Sequence, residues 1–163
     1  MPSRDTAYAP AVKPYTSDID HLTIGHRLMA AKQPELALSS FKRAAARDGL
    51  TAEILTALGS ANLALGRLNQ SERMLRQATK AEGSWPETWN NLGVVLMERG
   101  KTEEASQVFR KAYALDNGES DAIRDNLRLA LAKIENPGYD AGEEEDYKLV
   151  RRGSADYQIQ QTP

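Results

Sequence analysis

Few residues in this chain are of types that could carry out chemistry. Its 163 residues include no cysteine and only two histidines, His21 and His26. The histidines lie five positions apart, so they do not share a helix face in the manner of an i, i+4 metal pair. No glycine-rich phosphate loop, nucleophile elbow or carboxylate pair spaced for acid–base work is present. The sequence therefore predicts a protein that is not an enzyme and has no cofactor or metal site.

Binding chemistry is better represented. Adjacent Asn90 and Asn91 carry amides that both donate and accept hydrogen bonds, so they are suited to holding the backbone of an extended peptide. The net charge of −2 and the absence of a one-sided basic stripe argue against nucleic acid as the partner. No apolar run approaches the roughly 20 residues that a transmembrane helix needs. We therefore expect a protein partner.

The elements that must position these residues repeat along the chain. Gly25, Gly59 and Gly93 follow one another at intervals of 34 residues. The third copy reads Trp89-x2-Leu92-Gly93-x2-Leu96 and then Ala105-x3-Phe109. This period and pattern are the signature of stacked helix-turn-helix units. The chain thus resembles the tetratricopeptide repeat (TPR) family.

The resemblance and the apolar periodicity together predict an all-α TPR solenoid. We expect three repeats over 18–51, 52–85 and 86–119, followed by a capping helix over 120–135 that covers the last apolar face. Within that helix Ile123, Leu127, Ala130, Leu131 and Ile134 recur at helical spacing and should pack inward. The predicted helices of the repeats span about 18–32, 35–48, 52–65, 69–82, 86–99 and 102–115.

Local residues support these boundaries. Gly66 and Gly100 stand where the first helix of a repeat must stop, a position that often needs positive φ. Pro34 suits the first turn of the second helix of its repeat. A glycine at 93 lets the two helices approach closely, with Ala105 and Phe109 filling the contact.

The two ends differ from the repeats. Residues 1–17 are predicted to be an extended N-terminal tether. Residues 136–163 form an acidic spacer and a C-terminal tail. In that tail, apolar and polar residues alternate on both sides of Gly153-Ser154, which predicts a short hairpin. A lone hairpin is marginal in water, so it needs a partner surface or the body of its own domain; a disordered tail is the alternative.

A TPR stack offers a concave groove lined by the first helix of each repeat. Its expected lining is mixed in polarity and has no lysine or arginine in the full repeats, which argues against a clamp for a C-terminal carboxylate. The predicted partner-binding residues, in the groove and in the tail, are Leu22, His26, Met29, Asn90, Asn91, Val94, Leu149, Arg151, Arg152, Tyr157 and Ile159.

The chain also resembles a narrower group, the TadD lipoproteins of the bacterial Flp/tight-adherence pilus. The resemblance lies in the segments 126–132 (NLRLALA) and 146–153 (DYKLVRRG). It implies an accessory, pilotin-like factor that helps to assemble the pilus secretion channel. The implied partner is a secretin or another pilus component, and the implied location is the periplasmic side of the outer membrane.

One feature of that group is missing, because this chain has no cysteine to carry a lipid. The resemblance then implies that the anchor was lost together with a native N-terminus. The alternatives are a cytosolic TPR chaperone or adaptor that holds a secretion substrate, and a docking subunit of an enzyme complex.

Overall fold

The computed structural model describes residues 19–81, 85–138, 148–150 and 156–158. The predicted tether over 1–17 lies outside these residues. Seven helices and two short strands follow one another in the described part of the chain: α1 (His21–Ala30), α2 (Pro34–Asp48), α3 (Ala52–Ala64), α4 (Leu68–Lys80), α5 (Pro86–Glu98), α6 (Thr102–Leu115), α7 (Asp121–Glu135), β1 (Lys148–Val150) and β2 (Asp156–Gln158). The predicted TPR solenoid is confirmed.

Side-chain caps mark the starts of three of the described helices. The side chain of Asp20 accepts the backbone N–H of Thr23 at 3.0 Å and so begins α1 at His21. The predicted start near residue 18 was therefore too early. Thr51 and Ser120 cap α3 and α7 in the same way, and Pro34 occupies the first turn of α2 as predicted.

The helices pack as hairpins whose two members lie unusually close. A Cβ added at Gly59 would lie 2.6 Å from Cγ of Leu75, and one added at Gly25 or Gly93 would overlap the ring of Phe41 or Phe109. Each large side chain of the second helix thus rests on bare backbone of the first. This confirms the predicted reason for a glycine every 34 residues.

Successive first helices also contact one another, α1 with α3, α3 with α5 and α5 with α7. They line the concave face, while α2, α4 and α6 form the outer layer. On the outer layer Glu72 receives a hydrogen bond from Lys101 at 2.9 Å and lies near Arg76 and Arg99. Burial opposes ionisation of Glu72, but the Lys101 hydrogen bond and the three positive charges outweigh it and hold its pKa below the ordinary 4.5.

The last helix closes the stack differently from the prediction. Ile123 and Ala130 are buried as expected, but Ile134, in the last turn of α7, is 38% exposed. The inward face of α7 instead includes Asn126, which is fully buried. None of the helices in the described ranges is long and apolar enough to cross a membrane.

The C-terminal strands pair antiparallel, with Lys148 opposite Gln158 and Leu149 opposite Tyr157. The predicted hairpin is thus present, although its turn at Gly153-Ser154 lies outside the described residues. Strand β1 contacts both α5 and α7. The hairpin therefore lies on the concave face, against the body of its own domain.

The turn between the two helices of each repeat requires a left-handed residue. Gly66 and Gly100 have φ of 73° and 74°, and Lys32 occupies the same repeat position with φ of 57°. A residue with a side chain is strained by about 1–2 kcal/mol in this conformation, whereas glycine is not.

We predict that Lys32→Gly raises the free energy of unfolding by about 0.5–1 kcal/mol, since relief of strain exceeds the added entropy of the unfolded chain. The matched control is Gly66→Lys, where no atom lies within 4 Å of an added Cβ, so that only backbone strain is introduced. It should lower stability by a similar amount. Urea denaturation of both variants measures the effect, and a Lys32→Gly variant no more stable than the parent would contradict it.

Candidate functional site

Three buried asparagines lie where β1 meets the concave face. Asn90 and Asn91 come from the middle of α5 and Asn126 from α7, and each side chain is at most 1% exposed. A buried amide that lacks partners costs several kcal/mol. Their hydrogen bonds therefore decide what this region can hold.

The amides form one chain of hydrogen bonds that runs from α7 through α5 to α3. Asn126 Nδ2 donates to Asn90 Oδ1 at 2.8 Å, and Asn90 Nδ2 donates to Asn91 Oδ1 at 3.1 Å. Asn91 Nδ2 then donates to Ser60 Oγ at 3.1 Å, and Ser60 Oγ donates to the carbonyl of Thr56 at 2.9 Å. Every bond points in the same direction, so the orientation of each amide fixes the next.

The first two asparagines in this series of hydrogen bonds, Asn126 and Asn90, hold the backbone of Lys148. Asn90 Nδ2 and Asn126 Nδ2 both donate to the Lys148 carbonyl, at 2.9 and 2.7 Å. The Lys148 N–H in turn donates to Asn126 Oδ1 at 2.9 Å. Both hydrogens of each amide nitrogen are thereby used, and both backbone groups of one extended residue are satisfied. We call Asn90 and Asn126 together the amide clamp.

Side-chain contacts of β1 are of two kinds. Leu149 is 1% exposed and belongs to the same buried apolar cluster as Val94 and Leu92. The Lys148 ammonium lies 3.5 Å from a carboxylate oxygen of Asp125, in a pair that remains partly exposed. The Leu149 contact contributes more to the free energy that holds β1 in place. Burying a leucine is worth about 1.5–3 kcal/mol, whereas an exposed ion pair is worth at most about 1 kcal/mol.

The predicted site residues of the groove fall into two groups. Asn90 and Val94 lie at the docked strand, whereas Asn91 points toward α3 and serves the hydrogen-bond chain. In the first repeat Leu22 is partly buried, and His26 and Met29 are 6% and 8% exposed. The ring of His26 packs edge-on against Phe41 with centroids 5.1 Å apart.

The predicted tail residues are only partly described. Leu149 is in place in β1, and Tyr157 is paired with it through the backbone register of β2. Arg151, Arg152 and Ile159 lie outside the described residues. The assignment of this whole set to partner binding stays a prediction.

Asn126 is the site residue that the sequence analysis did not assign. It lies three positions after Ile123 and four before Ala130, inside the apolar face of α7. A polar residue at such a position needs a hydrogen-bond partner, and that requirement was the available signal. Among the described residues, no group of histidines and carboxylates is placed to hold a metal ion.

Comparison with known proteins agrees with the fold. Residues 22–72 and 58–120 match the sequence profile of the tetratricopeptide repeat, which together is more than half of the chain. The chain belongs to the tetratricopeptide repeat family. No curated protein sequence matches it significantly.

Several solved TPR domains have the same fold. The Sgt2 TPR domain from Aspergillus fumigatus superposes with a TM-score of 0.67 at 22% identity, covering 74% of this chain and 82% of that one. The second TPR domain of human RPAP3, solved with the HSP70 peptide SGPTIEEVD, gives 0.59 at 22% identity, covering 68% and 92%. The first TPR of Spaghetti (RPAP3), bound to the HSP90 peptide SRMEEVD, gives 0.65 at 16% identity, covering 71% and 94%. At these identities the likeness concerns the fold.

The amide clamp yields a direct test. Asn126→Asp keeps the size of the side chain and its acceptor but removes the two donated hydrogens and places a carboxylate against two oxygens. We predict a loss of about 2–4 kcal/mol in the free energy of unfolding at neutral pH, or release of β1 with a smaller loss. Urea denaturation and amide hydrogen exchange at residues 148–150 distinguish the two results.

Arg128→Ala is the control for this substitution, since Arg128 is an exposed residue of the same helix. It should change the free energy of unfolding by no more than about 0.5 kcal/mol. The amide exchange rates of residues 148–150 should stay the same. Native stability together with unchanged protection of residues 148–150 in Asn126→Asp would show that the clamp does not hold the strand.

Proposed function

We propose that this protein is a non-enzymatic scaffold that binds an extended segment of a partner protein on its concave face. The observation that carries the proposal is the amide clamp, in which Asn90 and Asn126 hold both backbone groups of Lys148. Such a clamp recognises extended backbone whatever its side chains are. An extended peptide is therefore the ligand chemistry that this surface suits.

Two further observations support this function. The RPAP3 domains that share the fold were solved with short peptides bound. The described part of this chain, in contrast, offers no metal cluster, and its only histidines are a partly exposed residue at the start of α1 and a residue packed on Phe41. Peptide binding needs none of these groups, because backbone hydrogen bonds and apolar anchors supply the affinity.

We predict that peptides selected from a random twelve-residue library bind to the concave face. In the NMR spectrum of the labelled full chain, they should shift the amide signals of Ser60, Asn90, Val94 and Leu149. Signals of Lys42 and Arg73 in the outer layer should stay in place and serve as internal controls. Shifts confined to α2, α4 and α6 would assign binding to the outer layer instead.

A second test uses the side chains of the clamp. Asn90→Ala removes one donor to the bound backbone. In a chain whose own tail is released from the groove by Leu149→Asp, it should weaken a selected peptide by about fivefold to tenfold, the value of one hydrogen bond. The helical signal in circular dichroism should remain. Unchanged affinity would show that the bound peptide does not use the clamp.

We further propose that the partner belongs to a bacterial pilus secretion channel, with a secretin as the first candidate, and that the protein acts on the periplasmic side of the outer membrane. The support is the resemblance of residues 126–132 and 146–153 to the TadD lipoproteins. Both segments contribute to the clamp region, through Asn126 and through β1. A cytosolic chaperone or adaptor is the competing assignment.

Co-purification from cells that express the pilus locus tests this assignment. We predict that the secretin is recovered with the wild-type chain from the outer-membrane fraction, and several-fold less with Asn126→Asp. Arg128→Ala should recover as much secretin as the wild type. Recovery of the protein only from the cytosol, with soluble substrates, would support the competing assignment.

A further inference from the structure

The groove of this chain is already filled. Residues 148–150 use the same amide hydrogens that the proposed ligand would use, and each of those hydrogens has one acceptor. A second extended backbone cannot be held by the clamp while Lys148 is there. Binding of a partner segment at this place therefore requires that β1 leaves.

The connection between the occupant and the groove is short. Roughly a dozen residues join the end of α7 at Glu135 to Lys148. A connection of about this length gives the tail an effective concentration on the order of millimolar at the groove. A partner segment in solution competes against that concentration, so its apparent affinity is its intrinsic affinity multiplied by the fraction of time for which the tail is out of the groove.

The occupant also shows which side chains the site accepts. The clamp reads the backbone of the first residue, and the Asp125 carboxylate lies beside the cationic side chain of that residue. The next residue, Leu149, is buried among apolar side chains of the groove. A polar residue at the second position would be desolvated without a partner, which makes that position the more selective one.

From these contacts we infer that residues 148–150 are a built-in competitor for the groove, and that the partner segment is an extended stretch in which a cationic residue is followed by an aliphatic one. The inference rests on the proposed peptide-binding function and adds its ligand class and its regulation. The partner gains access by displacing β1, and a change that weakens the tail opens the site.

The test measures binding of one defined peptide to full-length proteins. The probe is a fluorescein-labelled synthetic peptide with the sequence of residues 145–152, followed by fluorescence anisotropy. Wild type is compared with Leu149→Asp, whose own tail has lost its buried anchor. The expected result is at least about tenfold tighter binding to Leu149→Asp than to wild type, because the internal competitor is gone.

A second variant covers the case in which Leu149→Asp does not fold. Lys148→Pro removes the N–H that Asn126 accepts and lies outside all seven helices, so it should release β1 and give the same increase in affinity. Leu36→Asp is the control, because Leu36 is 56% exposed on α2 in the outer layer. It should bind the peptide as weakly as wild type does.

Peptide variants test the side-chain signature. Replacing the leucine of the probe by aspartate should abolish binding to Leu149→Asp, and replacing its lysine by glutamate should weaken binding by a few fold. Equal binding of the leucine-substituted probe would overturn the assigned ligand class.

The remaining outcomes separate this inference from the proposed function. If the probe binds wild type and both tail variants equally, the tail is not a competitor, while peptide binding itself stands. If the probe binds none of them although amide exchange shows residues 148–150 released in the variants, the groove holds no peptide in trans. In that case both the inference and the peptide-binding function fail.

Discussion

The desolvation of three asparagine amides is the constraint on which the concave face depends. Asn90, Asn91 and Asn126 are buried where helices of three successive layers meet, and each must find partners inside the protein. They donate to one another in a single direction. The remaining hydrogens of Asn90 and Asn126 and the Oδ1 of Asn126 are satisfied only because the backbone of Lys148 supplies one acceptor and one donor. The groove and the tail therefore stabilise each other, and occupancy of the site is coupled to the order of the amides.

This chain of hydrogen bonds lies among helices that are packed closely in pairs. The glycines that meet Phe41, Leu75 and Phe109 bring the paired helices together along their middles. The first helices then stand next to one another with their central residues facing the concave side. At that depth Asn90 and Asn126 come within 2.8 Å of each other across α5 and α7.

The sequence was sufficient for the fold because the 34-residue period reports local packing, and Gly93 with Phe109 is readable as a pair. The predicted start of α1 was less accurate, because the single capping residue Asp20 sets where that helix begins. The site was harder to predict, because Asn126 and Lys148 are 22 residues apart and meet only through the path of the tail. A period-two pattern could predict a hairpin, but it contains no information about which surface the hairpin contacts. The contact of the His26 ring with Phe41 could not be predicted either, because the repeat position does not specify it.

The way in which β1 is held has a consequence for self-association. Backbone groups of successive residues in a strand point to opposite edges, so Lys148 faces the asparagines while the adjacent residue faces β2. At Lys148, the edge of β1 that faces away from β2 is therefore covered by the two asparagines. Free strand edges template pairing between molecules, and proteins usually protect them with charge, proline or a covering element. Here two side-chain amides take the place of a neighbouring strand, so a tail that leaves the groove would present an open edge to other copies of the chain.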